Sequence, residues 1–272
     1  MKRLKGWIFI LIPVLIFTLV PFYWTIVTSL KPESEIISTP IRYIAAPPTI
    51  ENYLAVWHKI GFSIFFRNSF IVSGISVILI TILALIGGYA IARYQFRGRR
   101  VFMIILLSTQ FIPTTMLLIP LAVVYRRLAL LNTYRGLIMC YCTFQLPFTT
   151  ILMRSFIKGI PFELEEAARI DGCTGFQAVI YILTPLLLPG LIAAASFAFI
   201  GCWNEFLFAL MFNNTMDRFT IPVGLNYLQG QYSISYGSIA AGSIIAMIPP
   251  VILFAYVQRY LVSGLSAGAV KG

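Results

Sequence analysis

Apolar positions in this 272-residue chain do not alternate, and they do not recur at every third or fourth place. They come in long unbroken runs separated by short polar interruptions. A hydrocarbon layer about 30 Å thick takes roughly 20 apolar residues in a helix. Six runs of that length stand at about residues 7–30, 69–92, 101–125, 136–157, 180–202 and 240–262. Lipid offers the backbone no hydrogen-bond partner, so each run is predicted to be a helix. The pattern therefore predicts an all-α polytopic membrane protein with six transmembrane helices. The first run follows MKRLKGW and outlasts the roughly 7–15 residues of a secretory signal core, with no small-residue cleavage site behind it. It reads as a retained span.

Composition agrees: 59% of residues are hydrophobic and 11% charged, against roughly 25% charged in a soluble domain. The net charge of +11 does not point to nucleic acid, because the basic residues sit at the ends of apolar runs and form no stripe interleaved with aromatics. Cys140, Cys142 and Cys202 lie in or beside apolar runs, Cys173 lies in a polar segment, and His58 is the lone histidine, so no metal-ligand set is visible. No cofactor is expected on this chain.

Lys and Arg accumulate on the cytoplasmic side of membrane proteins. With the N-terminus inside, twelve of the twenty basic residues fall on that side, RYQFRGRR at Arg93–Arg100 being the strongest group. Both termini are then expected in the cytoplasm. Segments 31–68 and 203–239 are left outside; neither is long enough for an independent domain, and residues 1–272 read as a single membrane domain.

Acidic residues are scarce and clustered. Nine exist, and four of them (Glu163, Glu165, Glu166, Asp171) fall in ELEEAARIDG, inside a loop at about residues 158–179 on the cytoplasmic side. Pro161 suits a helix start, the glutamates complement the positive end of the helix dipole, and Gly172 suits a left-handed stop. Ala167 and Ala168 allow another surface to approach the backbone. Two readings stand: a helix that docks on a basic, water-facing partner, or a passive loop. Helices that lie on a membrane favour Lys and Arg on the polar face, and this one is acidic.

Two other places carry polar chemistry. Tyr141, Gln145 and Thr149 recur at intervals of four, on one face of the fourth run, and Ser108, Thr109, Gln110, Thr114 and Thr115 surround Pro113 in the third. Such groups either line a substrate path or hydrogen-bond between packed membrane helices, with Pro113 then only bending its helix. WNEF sets Trp203, Asn204 and Glu205 at the end of the fifth run. An unpaired carboxylate there is expensive, so Glu205 is expected to have a partner, as half of a gate pair, or to face water beside an interfacial Trp203. Asn213, Asn214, Gln229, Gln231, Tyr232 and Tyr236 mark the loop that follows.

The acidic segment resembles the EAA loop of membrane subunits of bacterial ABC importers. Glu166, Ala167 and Ala168 are followed by Gly172 and, after nine intervening residues, by Ile182, Leu183, Thr184 and Pro185; the family prefers Leu where Thr184 stands. RYQFRGRR, WNEFLFAL at Trp203–Leu210 and LVSGLSAGAVKG at Leu261–Gly272 resemble the second permease of carbohydrate importers of the maltose and glycerol-3-phosphate type.

The resemblance implies a type I ABC importer permease fold in a bacterial or archaeal cytoplasmic membrane. It implies a function as half of the pore of a sugar or oligosaccharide importer, or of a sugar derivative such as glycerol-3-phosphate. It implies three partners besides the bilayer: a homologous permease, a dimer of ATP-binding subunits and an extracytoplasmic sugar-binding protein that the 213–238 loop can reach. Glu166, Ala167, Ala168 and Gly172 would dock the ATPase, with Glu165 and Asp171 as helpers, and Tyr141, Gln145, Trp203, Asn204 and Glu205 are the candidate substrate path.

No Gly-rich phosphate loop ending in Gly-Lys-Ser/Thr occurs in the sequence, so ATP and Mg are expected on the partner subunits. A self-contained carrier or channel would need a charged relay inside the spans, and a membrane enzyme a catalytic constellation. The sequence shows neither.

Overall fold

The computed structural model describes residues 2–59, 61–229 and 234–269. Gln231 and Tyr232, named above for the outer loop, fall outside them. The described residues form helices and turns without strands. Six apolar stretches are present, and among the described residues four are uninterrupted helices of membrane-crossing length and composition: α1 (Lys2–Ser29), α2 (Phe62–Arg93), α5 (Tyr134–Lys158) and α10 (Tyr236–Ala269).

The third predicted span is built of two helices, α3 (Arg99–Ser108) and α4 (Thr114–Arg127), with a 3₁₀ turn at Thr109–Phe111 and a bend of 100° between them. Pro113 accounts for the bend. A proline ring disfavours helical backbone at the residue before it, and Ile112 is extended at ψ 119°. The fifth span is likewise bent, by 79° at Leu187, where α7 (Leu188–Trp203) begins after a helical stretch from Gly175 to Leu186. That stretch opens into a π-helical turn at Ala178–Leu183. Pro185 has no N–H to give to the preceding turn, and the Val179 carbonyl at the π turn accepts from both the Thr184 amide and the Thr184 hydroxyl, the latter at 2.8 Å. Short helices complete the outer segments: α8 (Leu207–Phe212) and α9 (Ile221–Tyr227). Between α5 and the fifth span stands α6 (Glu163–Ile170).

By packing the chain divides into two compact units. The first comprises residues 1–67 and 220–249. Here the buried Asn52 amide donates to the Ser29 and Lys31 carbonyls at the end of α1, at 2.9 and 2.7 Å. Glu33 accepts from the Tyr236 and Gly237 amides at 2.7 and 2.9 Å, placing a carboxylate on the positive end of α10. The buried Lys31 ammonium donates to the Arg42 carbonyl and lies 4.9 Å from the Trp24 ring centre.

The second unit comprises residues 68–219 and 250–272. Its core is Ala84 of α2, Met153 and Ile157 of α5, Leu183 and Leu187 at the bend, and Ala194 of α7. Small residues let these helices approach closely. A methyl group on Gly88 would stand 2.9 Å from Met153 Cβ, and one on Gly190 2.6 Å from the Phe156 ring. At the other end of α2, the Asn68 amide donates to the carbonyls of Asp217 and Phe219 at 2.8 and 2.9 Å, and its oxygen accepts from the Tyr134 hydroxyl at 2.6 Å.

Candidate functional site

The helix α6 has the boundaries its residue chemistry sets. Glu163, Glu165 and Glu166 fill its first turn and Arg169 its last, matching the dipole at both ends. Its end is a complete Schellman motif: the Cys173 amide donates to the Ala168 carbonyl at 2.9 Å and the Gly172 amide to the Arg169 carbonyl at 3.1 Å. Gly172 sits at φ +92°, the left-handed region where a side chain is strained. Thr174 then starts the fifth span with a capping box: Gln177 Oε1 accepts from the Thr174 amide at 2.8 Å, and Thr174 Oγ1 accepts from the Gln177 amide at 3.3 Å. Two helices thus stop and start within four residues, which fixes the angle of the turn between them.

The six residues expected to dock a partner do not share one face. Glu166, Ala167, Asp171 and Gly172 are exposed, together with Glu163. Ala168 is buried, three residues beyond Glu165, which is 1% exposed. The Glu165 carboxylate accepts from the Arg93 Nε at 2.7 Å and from the Tyr89 hydroxyl at 2.8 Å, so it points into the chain. Phe162, just before the helix, lies under two guanidinium groups, Arg93 at 5.4 Å and Arg169 at 6.0 Å. Two large apolar side chains that the sequence reading passed over stand free around the turn, Ile170 at 86% and Phe176 at 75% exposed. An Ile and a Phe left out of a helix's own apolar face were the available signal. Acidic groups, an alanine and two large apolar side chains are thus left in the open around this turn.

The polar cleft lies at the far end of α5 and α7. Thr114, Tyr141, Phe144, Gln145, Gly201, Cys202, Glu205 and Phe208 line a space of about 140 Å³. Tyr141, Gln145 and Glu205 are therefore brought together as expected. Trp203 and Asn204 are not among them: Trp203 is buried and stacked on Phe199 at 5.2 Å, and Asn204 is exposed.

Glu205 has a partner, and it is backbone. Its two oxygens accept from the Phe208 and Ala209 amides at 2.7 and 3.0 Å, satisfying the free donors at the start of α8. The Tyr141 hydroxyl is buried beside it without a hydrogen bond of normal geometry. Phe144 and Phe208 stack at 4.7 Å across the wall. Other polar groups are engaged by their own helices: Thr149 donates to the Gln145 carbonyl, Ser108 to Ile104 and Thr109 to Leu106. Of the cluster around Pro113, Thr114 alone reaches the cleft.

Long apolar helices, one short acidic helix exposed between two of them, and a polar cleft inside the bundle define a membrane permease. Residues 80–267 match the family model described as binding-protein-dependent transport system inner membrane component. The chain is 36% identical to a sulfoquinovosyl glycerol transport system permease protein of Agrobacterium fabrum, over 93% of this chain and 89% of that one. It is 37% identical to a diacetylchitobiose uptake system permease protein of Streptomyces coelicolor, over 93% and 91%. Its fold is that of a chain in the crystal structure of a bacterial ABC transporter that imports the acidic polysaccharide alginate, with TM-score 0.82 and 23% identity over 95% and 97% of the two chains. The chain belongs to the binding-protein-dependent transport system inner membrane component family. It is a multi-pass transport subunit of an ABC importer, not an enzyme.

Proposed function

We propose that this chain forms half of the pore of an ATP-driven importer of a sugar or oligosaccharide, and that α6 carries the power stroke into it. The observation that carries the reading is the rim around Gly172. Glu163, Glu166, Ala167, Ile170 and Asp171 face outward on a helix whose end is locked, beside Phe176. Such a surface suits a basic cleft in a soluble subunit.

The partners are a homologous permease, a dimer of ATPase subunits that bind ATP and Mg, and an extracytoplasmic sugar-binding protein, with residues 1–272 acting as one membrane domain. The permeases of Agrobacterium and Streptomyces carry glycosides by name, which supports a glycosidic cargo. Basic residues at Arg93–Arg100 support an N-terminus and a C-terminus in the cytoplasm. Tyr141, Gln145 and Phe144 offer the mixture of hydroxyl, amide and flat apolar surface that a sugar needs.

The test is reconstitution of the permease pair with its ATPase subunits and binding protein. Glu166→Lys and Ala167→Trp are expected to release the ATPase subunits and abolish ATP-driven uptake. Uptake that survives both, or uptake by the permeases without ATPase subunits, refutes the reading.

A further inference from the structure

Glu165 is the anomaly of the docking helix. It is an acid on a helix whose other acids face water, yet it is 1% exposed and bound through both oxygens. Both partners come from the end of α2: Tyr89 and Arg93 are four residues apart, hence on one face of that helix. The same guanidinium donates from Nη2 to the Ile160 carbonyl at 2.9 Å, just ahead of α6. The ion pair is 9% exposed on the Arg93 side. Alpha-helix α6 is continuous in sequence with α5 and with the fifth span, whereas α2 lies some seventy residues upstream. We infer that Glu165 is a positioning residue that fastens the docking helix to α2, so that the two move as one body. The inference rests on the docking reading above only for what sets them in motion.

The chemistry favours this role over simple stabilisation. A buried ion pair typically adds little to stability compared with apolar residues of the same volume. It differs from an apolar contact in direction: charge-assisted bonds to two separate oxygens fix an orientation and resist sliding. Apolar packing already surrounds these elements, since Tyr89 and Ala92 of α2, Ile160 just ahead of α6 and Val179 of the fifth span pack on the common core. Tyr89 and Arg93 add a fixed angle to that packing. A helix pushed at Ile170 or Phe176 would then turn α2 rather than slip past it.

The experiment measures the distance between spin labels at two exposed positions, Gln95→Cys after α2 and Leu164→Cys on α6, in a background whose four cysteines are replaced. In the permease alone in lipid nanodiscs, the native tether is expected to give a narrow distance distribution, and Glu165→Gln one about twice as broad, as expected when an uncharged amide replaces a charge-assisted pair. The exchange of Arg93→Glu with Glu165→Arg is expected to narrow it again. In the complex with ATPase subunits, the native distance should stay unchanged between the nucleotide-free state and the ATP–vanadate state, and should change in Glu165→Gln while the ATPase subunits still co-purify.

Equal widths for native and Glu165→Gln would overturn the inference. So would a native distance that already changes with nucleotide, or loss of the ATPase subunits from Glu165→Gln. A native chain that binds no ATPase subunit refutes docking, and the nanodisc arm still decides the tether. Tyr89→Phe, which removes one hydroxyl, is the second variant if Glu165→Gln fails to fold; it should broaden the distribution by less, and an unaltered width counts against the tether.

Discussion

Gly201 faces the Gln145 side chain so closely that a methyl group on it would stand 2.0 Å from the amide nitrogen. The contact joins α5 to α7 in the wall of the polar cleft, and it leaves Gln145 no room on that side. Gly201→Ala is therefore expected to push the Gln145 amide out of place and, since that amide is the free end of a flexible side chain at the edge of the cleft, to destabilise the permease by about 1 kcal/mol, the low end of the range for overpacking. Gln145→Ala in the same chain should recover most of the loss. Thermal unfolding of the two single variants and the double variant measures this, and additive effects would show that the two residues do not press on each other.

Glu205 gives a second expectation. Its carboxylate holds two amides at the start of α8, so Glu205→Ala leaves two donors without their acceptor. Hydrogen bonds to a charged group contribute about 1.5–3 kcal/mol, and a loss in that range is expected in unfolding experiments. Glu205→Gln keeps one acceptor oxygen and should lose about half as much. If the glutamine variant were as stable as the native chain yet inactive in transport, the carboxylate would be acting as a gate charge and not as a cap.

Gly172 gives a third. A side chain in the left-handed region is strained by about 1–2 kcal/mol, and the two amide bonds that close α6 depend on that conformation. Gly172→Val is expected to fray the last turn, lowering ATP-driven uptake and weakening retention of the ATPase subunits on an affinity column. Gly172→Asn, which tolerates the conformation better, should keep more of both. Equal retention by the two variants would count against a role for the locked helix end.

Much of this was readable in the sequence because lipid leaves so few options. Run length alone placed six apolar stretches, and Gly172, with acids clustered ahead of it, marked the end and start of α6. A bend at Pro113 was readable as one alternative, but its size, and the bend at Leu187, were not. Pro13 and Pro21 lie inside α1, Pro120 inside α4 and Pro147 inside α5, all within continuous helices, whereas Pro113 coincides with a bend of 100°. Whether a proline breaks a membrane helix depends on which neighbouring groups donate to the carbonyl it leaves free in the preceding turn, and no local pattern contains that.

Burial of Glu165 was hidden for a similar reason. Its spacing with Ala168 shows that the two share a face, but a buried acid needs a cation, and Arg93 is far away in sequence. Glu205 illustrates the opposite limit: a costly carboxylate demands a partner, and sequence cannot reveal that the partner is main chain. Ile170 and Phe176 were overlooked because apolar residues near an apolar span attract no notice.

Asn68 holds the segment before residue 220 by gripping two carbonyl groups, those of Asp217 and Phe219, and no side chain of that segment takes part in the grip. Asn214, Thr215, Met216 and Asp217 stay exposed above it. A hold made on the main chain is indifferent to what the side chains are. Asn214, Met216 and Asp217 can therefore be rewritten while the shape beneath them is kept, whereas Thr215, whose hydroxyl donates to Asn132 Oδ1 at 3.0 Å, belongs to the scaffold and not to the lettering on it.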